Sequence, residues 1–236
     1  MELQRKIIDI EALTNSQRQE MYALMQKHYD NTDRTVFEKD LSEKNWVLML
    51  LDESKGRIVG FSTKLFFPFF FRNKKTWILF SGDTIIQREY WGSLGLCLVF
   101  SELITRLIKK YQNEEIYWML ISKGLRTYKY LPTFFVNYYP AYDKATPEVI
   151  RELINLLGEQ RFPGSFDKLK GIIKAKPNAQ SLKKEFQPEF RLTNNIDVFF
   201  QEANPGYHKG DELLCLTKLS YDNFRPYYKR IIERVQ

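Results

Sequence analysis

The chain has 236 residues, 44% hydrophobic and 28% charged, enough to bury a full core near the upper size of one domain. Its net charge of +7 suits an anionic partner such as a phosphorylated cofactor or an acidic carrier protein. The two cysteines, Cys97 and Cys215, lie far apart, which excludes a disulfide framework and a zinc site and fits reduced thiols in the cytoplasm.

The opening stretch, MELQRKIIDIEAL, is charged throughout and lacks the apolar centre of a secretion signal. Thr14 followed by Gln17 predicts a capped helix with Met21, Leu24, Met25 and Tyr29 at helical spacing, broken at Asp30-Asn31-Thr32-Asp33. Thr35 with Glu38 predicts a second capping box and a short helix to about Glu43. Residues 46–51 read as a buried strand, 52–56 as a turn, and 57–67 as the second strand of an antiparallel hairpin. Phe66, Phe67, Phe69, Phe70 and Phe71 then crowd the expected loop. The apolar run from Leu65 to Phe71 holds a proline and is too short to span a bilayer, so no transmembrane segment is expected. A third strand covers 77–86, with Gly82 and Asp83 near its end, and a turn at Gly92 leads into a helix over 94–111. Residues 115–122 predict another buried strand, followed by a short helix that Pro132 ends.

Thr146-Pro147-Glu148 reads as a helix start, with Val149, Ile150, Leu153, Ile154 and Leu157 on the apolar face. Residues 166–191 are Lys-rich and irregular and read as a surface insertion. Residues 197–200 and 212–216 predict a final strand pair. The order implies one α+β domain with a central, mostly antiparallel sheet flanked by helices. Its parts are a core over 14–140, a helix and basic insertion over 141–195, and terminal strands and a tail over 196–236.

The stretch FSGDTIIQREYWGSLGLCLVF, from Phe80 to Phe100, carries the chemistry. A strand ends, a glycine turn follows and a long helix begins. The first amides of such a helix lack partners, and the helix dipole adds positive charge, which suits a pyrophosphate. Gly92 and Gly95 would let phosphates approach the backbone, although glycine also serves plain turn chemistry. Asp83 is a carboxylate able to take a proton from an ammonium, and as a turn residue it is equally able to satisfy nearby amides. No aromatics interleave with Lys or Arg on a nucleic-acid motif, so no nucleic-acid partner is expected.

Two helices, three antiparallel strands, a glycine turn into a long helix, a strand and a short Tyr-bearing helix resemble the GNAT superfamily of N-acyltransferases over about residues 14–140. The resemblance implies that Trp91, Gly92, Ser93, Leu94, Gly95 and Leu96 form the coenzyme A pyrophosphate turn. The superfamily pattern there is Arg/Gln-x-x-Gly-x-Gly/Ala. Either Gly95 and Cys97 take its last two places, with Gly92 at the Arg/Gln place, or Gly92 is the first glycine and Glu89 stands at the Arg/Gln place. Both alignments depart from the pattern, and an acyl carrier protein, which offers one phosphate, asks less of the turn. Ile85 and Ile86 would bind the pantetheine arm through their backbone, and Asp83 would be the general base. Tyr130, or Tyr128 as the second choice, would protonate the leaving thiolate, on the likeness of Tyr130 through Phe135 to Tyr-x-x-x-Gly-Phe. His28 ends the first helix, where the superfamily builds its acceptor pocket, and is the other base to consider; it suits a surface helix end equally. His208 belongs to a turn on the surface.

The resemblance therefore implies an acyl-CoA or acyl-carrier-protein donor, no metal and a primary-amine acceptor. The segments SKGLRTYKYLP, FFVNYYP and NPG to GDELLCL are further similar to a bacterial GNAT-like branch that fatty-acylates Lys or ornithine side chains of ribosomal peptides. A medium or long acyl chain would then lie in a slot lined by the five phenylalanines, which otherwise pack the hairpin. The alternative readings are a GNAT-fold thioester- or peptide-binding module without chemistry, and an adaptor using the basic 168–184 segment.

Overall fold

The protein is seen as a computed structural model, which describes residues 3–177, 180–186 and 193–235. In chain order its strands are β1 (Leu3–Asp9), β2 (Tyr29–Asp30), β3 (Trp46–Asp52), β4 (Arg57–Phe71), β5 (Lys74–Ile86), β6 (Glu115–Ser122), β7 (Tyr138–Tyr139), β8 (Phe166–Asp167), β9 (Ile172–Ile173), β10 (Ser181–Leu182) and β11 (Glu212–Lys218). Its helices are α1 (Asn15–His28), α2 (Arg34–Ser42), α3 (Gly95–Lys110), α4 (Leu125–Tyr128), α5 (Tyr130–Phe134), α6 (Glu148–Arg161), α7 (Asn195–Ala203) and α8 (Pro226–Ile232).

A nine-stranded sheet runs β1-β3-β4-β5-β6-β11-β9-β8, with β7 also on β11. Within it β5 and β6 are parallel and the other pairs antiparallel, so the expected α+β class with a mostly antiparallel sheet holds. Because strand side chains alternate, the sheet has two covered faces. Leu79, Trp118, Leu120 and Leu213 pack under α3, α4, α5 and α8. On the opposite face Met49, Phe61 and Ile85 pack under α1 and α2, and Ile78, Phe80, Met119 and Leu214 under α6. These are called the α3 face and the α1 face below.

Several elements differ from the sequence expectation. Residues 3–9 form an edge strand, hidden in the sequence because its charged side chains point outward, as edge strands favour. α1 has the expected Thr14–Gln17 capping box, but α2 is capped by Asp33, whose side chain accepts from Val36 N, and not by Thr35. β4 runs on to Phe71, so the five phenylalanines are strand residues and not a loop. The hairpin turns at Arg72 and Asn73, both at positive φ (47° and 59°). Pro132 lies inside α5, in its first turn where it removes no helical hydrogen bond, and so does not end it. Pro147 is the N-cap of α6. The basic stretch contributes Ile172–Ile173 to the sheet; its residues 178–179 and 187–192 lie outside the described ones. Residues 197–200 are helical, in α7, capped by Asn194; short apolar runs such as IDVFF do not separate strand from helix by pattern. β11 therefore pairs with β6 rather than with that segment.

Candidate active site

β5 and β6 pair from Thr76–Glu115 to Ser81–Leu120 and then part. Beyond Ser81, β5 continues to Ile86 paired with β4, and its edge toward β6 has no strand partner among the described residues. A notch opens there. At its mouth the β4–β5 register slips, since Lys64 faces Ser81 while Ser62 faces Thr84. The extra residue makes a bulge at Gly82–Asp83, a device that re-aims side chains. A Cβ on Gly82 would lie 2.6 Å from Thr63 Oγ1 and 2.9 Å from Lys44 Cε, so a side chain there would have to displace both. The bulge sends Asp83 to the α1 face and Thr84 to the α3 face.

On the α1 face Asp83 makes no hydrogen bond or ion pair among the described residues. Its carboxyl is pushed up to about 7, first by burial and then by the negative charge of Asp40. The two cations nearby are already engaged: Lys44 Nζ lies 2.6 Å from Asp40 Oδ1, and Lys123 Nζ 3.7 Å from Glu212 Oε1. Asp40, Asp83 and Glu212 thus face Lys44 and Lys123, leaving one carboxylate over. Burial also raises Glu212, and burial together with Asp83 and Glu212 raises the Tyr29 phenol. Lys123 Nζ stands 6.0 Å from the Tyr29 ring centroid, closing the group.

His28 is buried at the end of α1. Its Nδ1 lies 2.8 Å from Leu24 O, an acceptor, so Nδ1 carries the proton. Nε2 is therefore a bare lone pair, buried with no partner among the described residues, and burial lowers the imidazole pKa. The Phe186 ring covers it at 4.3 Å. Residues 180–186 tie this side together: β10 pairs with β2, Lys183 N donates to His28 O, and Gln180 O accepts from Lys123 Nζ.

On the α3 face the glycine turn behaves as a helix start should. The amides of Gly92, Leu94, Gly95, Leu96 and Cys97 donate to no protein acceptor among the described residues, and no side chain caps α3. Within the expected turn Trp91 N and Ser93 N are the exceptions, bonding Arg88 O at 3.1 Å and Tyr90 O at 3.2 Å. Gly92 has φ +86° and open space around it. Gly95 also has a packing reason: a Cβ there would lie 3.0 Å from both Leu50 methyls, so glycine lets α3 sit close on β3. Trp91 donates its indole N–H to Ile86 O at 2.8 Å, which occupies that carbonyl, and Arg126 stacks on the Trp91 ring at 4.0 Å. Ile85 is buried in the core of the α1 face.

The two tyrosines separate. Tyr128 is fully buried and donates its hydroxyl to Pro140 O at 2.8 Å. Tyr130 is 38% exposed, beside Cys97 and Arg126, and burial raises its phenol. The phenylalanine row does not flank the notch. Phe69 to Phe71 pair with Lys74 to Thr76 at the opposite end of β5, roughly 26–33 Å from Thr84 at about 3.3 Å per residue, and Phe66 and Phe67, opposite Leu79 and Ile78, are roughly 17–20 Å from it. The structure thus brings Asp83 together with Tyr29, Glu212 and Lys123, three residues the sequence did not single out. Glu212 arrives through the β6–β11 pairing, a contact of long sequence separation with no local signal. Among the described residues no His, Cys, Asp or Glu cluster could hold a metal ion, and no helix is long and apolar enough to cross a membrane.

No family model and no curated protein matches the chain. Among solved structures it is similar to a conserved protein of Enterococcus faecalis described as a probable N-acyltransferase, at 18% identity and a TM-score of 0.43, over 56% of this chain and 33% of the other. It is similar to a Trypanosoma brucei acetyltransferase at 15% identity and a TM-score of 0.41, over 62% of this chain and 98% of the other. A GNAT family N-acetyltransferase of Escherichia coli in complex with CoA aligns at 11% identity and a TM-score of 0.40, over 57% and 70% of the two chains. The chain spans about a third of the length of the Enterococcus protein.

Proposed function

We propose that this chain is a GNAT-type N-acyltransferase that moves an acyl group from an acyl-CoA or acyl-carrier-protein thioester to a primary amine. The observation that carries the reading is the pairing of two features across one notch. An unpaired carboxylate, Asp83, stands on the α1 face, and bare α3 amides stand on the α3 face. An ammonium entering from the α1 side would supply the one positive charge that Asp40, Asp83, Glu212, Lys44 and Lys123 lack. Asp83 would take its proton, since a carboxylate with a pKa near 7 is matched to that transfer at neutral pH. The freed amine would attack the thioester carbonyl, forming C–N and then breaking C–S.

The amides of Gly92 and of Leu94 to Cys97, with the helix dipole behind them, would hold the donor's phosphate. Trp91 and Arg126 form a flat, cationic wall beside them. Of the two phenols, Tyr130 is free to give a proton to the departing thiolate, whereas the Tyr128 proton is committed to Pro140 O. His28 Nε2, a bare acceptor, would serve as a second proton acceptor near the amine. A Lys or ornithine side chain of a peptide has the slender, single-charged end this pocket suits. The free thiols Cys97 and Cys215 agree with a cytoplasmic setting.

A thermal-shift panel of acyl-CoAs from acetyl to palmitoyl, followed by thiol release with a lysine-containing peptide, tests the reading. A rise in melting temperature with thiol release supports it, and the dependence on chain length reports the acyl preference. Binding without thiol release would reduce the protein to a thioester-binding module, and no shift by any member would remove the coenzyme A site.

A further inference from the structure

The core beneath α3 holds a lysine with no acid to match it. Lys64 sits in mid-β4, 4% exposed, and its Nζ donates to Ser62 Oγ and to Ser81 Oγ, each at 2.7 Å. The Phe100 ring of α3 lies 4.9 Å from the ammonium. The groups facing it are Ser62 on β4, Ser81 on β5, Trp118 on β6 and Phe100 on α3, none of them charged. Burial alone pulls the ammonium down to about 7. A buried, unpaired cation is costly, and an apolar chain of the same reach would fill the space without that cost. Packing therefore gives no reason for lysine here.

The hydrogen bonds give one. Ser81 Oγ accepts from both Lys64 Nζ and Trp118 Nε1, the latter at 2.8 Å, so its two lone pairs are filled and that direction is closed. Ser62 Oγ lies 2.6 Å from Thr84 Oγ1, and either hydroxyl can donate. Thr84 is exposed and belongs to the stretch of β5 that has parted from β6, on the α3 face. One hydroxyl relay thus leads from the buried ammonium to the notch, on the side opposite Asp83.

Resting on the acyl-transfer reading, we propose that Lys64, acting through Ser62 and Thr84, supplies the proton taken by the leaving thiolate, in place of the Tyr130 phenol. As C–S breaks, its electron pair goes to sulfur. The sulfur takes the Thr84 hydroxyl proton, Thr84 takes that of Ser62, and Ser62 takes one from the Lys64 ammonium, which is left as a neutral amine. After the thiol departs, solvent returns a proton through exposed Thr84. The acceptor nitrogen gives up two protons, one from the ammonium before attack and one as the tetrahedral adduct becomes the amide. Both leave in succession on the other face through Asp83, so two protons leave and one enters per turnover. Thr84 would touch the reacting sulfur; Lys64 and Ser62 act through it.

Single-turnover acyl transfer in H2O and D2O, with a lysine-containing peptide and the acyl-CoA that gives the largest thermal shift, tests the relay. Lys64→Met and Thr84→Val should each slow the step by about a hundredfold and lose the wild-type solvent isotope effect, whereas Thr84→Ser should keep both. If Lys64→Met fails to fold, the two Thr84 variants carry the same test, because Thr84 lies outside the core. Unchanged rates, or slower rates with the isotope effect intact, would overturn the relay. So would loss of the isotope effect in Tyr130→Phe but not in Lys64→Met. A wild-type protein that transfers no acyl group from any donor would sink the transferase reading and the relay with it.

Discussion

The two sides of the notch handle buried charge in opposite ways. On the α1 face, charges come as a group: Asp83 shares its surroundings with Asp40, Lys44, Lys123 and Glu212, and two ion pairs offset part of the field. On the α3 face Lys64 stands alone among hydroxyls and aromatic rings. Yet both groups are brought near neutrality, the acid raised and the base lowered, each to about 7. The difference teaches what each side is suited to meet. A pocket with one carboxylate in excess suits a cation arriving from solvent. A lone lysine joined to the notch by hydroxyls suits proton delivery and needs no charged partner of its own.

The largest test of that contrast is Asp83→Asn. It removes the proton acceptor while keeping the shape, and turnover should fall by about a hundredfold or more. Wild-type kcat/KM should climb with pH through about 7 as Asp83 ionises, and the variant should lose that limb. A retained limb would move the base to His28. On the other side, Gly92→Ala places a side chain at φ +86°, at a cost of about 1–2 kcal/mol. The turn should distort and donor KM should rise about tenfold, since 1.4 kcal/mol is a factor of ten. The acceptor KM should not change, and a change there would mean that the two sides are not separate.

Stability against pH sharpens the same comparison, because half-buried Asp83 and buried Lys64 give opposite slopes. Asp83 has a folded pKa above its unfolded value of about 3.9. Between the two values folding takes up a proton, so stability is lost as pH rises through that window. Asp83→Asn should therefore be more stable than wild type above about pH 7 and equal to it near pH 4. Lys64 has a folded pKa below its unfolded value of about 10.4, so its burden is full below about 7 and fades as pH rises toward 10. Lys64→Met should gain most at the acid end of that window. Each gain should be on the order of 1–3 kcal/mol, read from denaturant melts at several pH values. Parallel slopes for the two variants would mean that one of the groups is not buried as charged.

Much of this contrast was legible in the sequence on one side and little of it on the other. The strand, glycine turn and long helix stand in consecutive residues, so periodicity and turn chemistry located the bare amides within a few positions. The bulge that aims Asp83 depends on register with β4, and Glu212 reaches the pocket only because β11 pairs with β6. Neither is a local property. Lys64 was visible as a lysine in mid-strand, but alternation alone cannot tell a solvent-facing lysine from one roofed by a helix. IDVFF failed for a related reason: five residues fit both periods, and the Asn194 cap decided it. The phenylalanine row misled because the strand was expected to end at Phe67, and only the long pairing with β5 shows that Phe69 to Phe71 continue it to the hairpin's far end.

The smallest expected effect is also the cleanest check on which phenol belongs to the site. Tyr128 and Tyr130 are two residues apart and equally tyrosine, and only their surroundings separate them. Tyr128→Phe removes a donor from Pro140 O inside the core, so it should cost about 1 kcal/mol of stability, the usual net value of one hydrogen bond. Its ring contacts with Phe199 and Phe200 remain, so the backbone of α4 and the stacking of Arg126 on Trp91 should stay in place. Single-turnover acyl transfer should then match wild type within about twofold. A large loss of rate at unchanged melting temperature would show that the Pro140 bond is exchanged for one to the donor during the reaction, and would return Tyr128 to the chemistry.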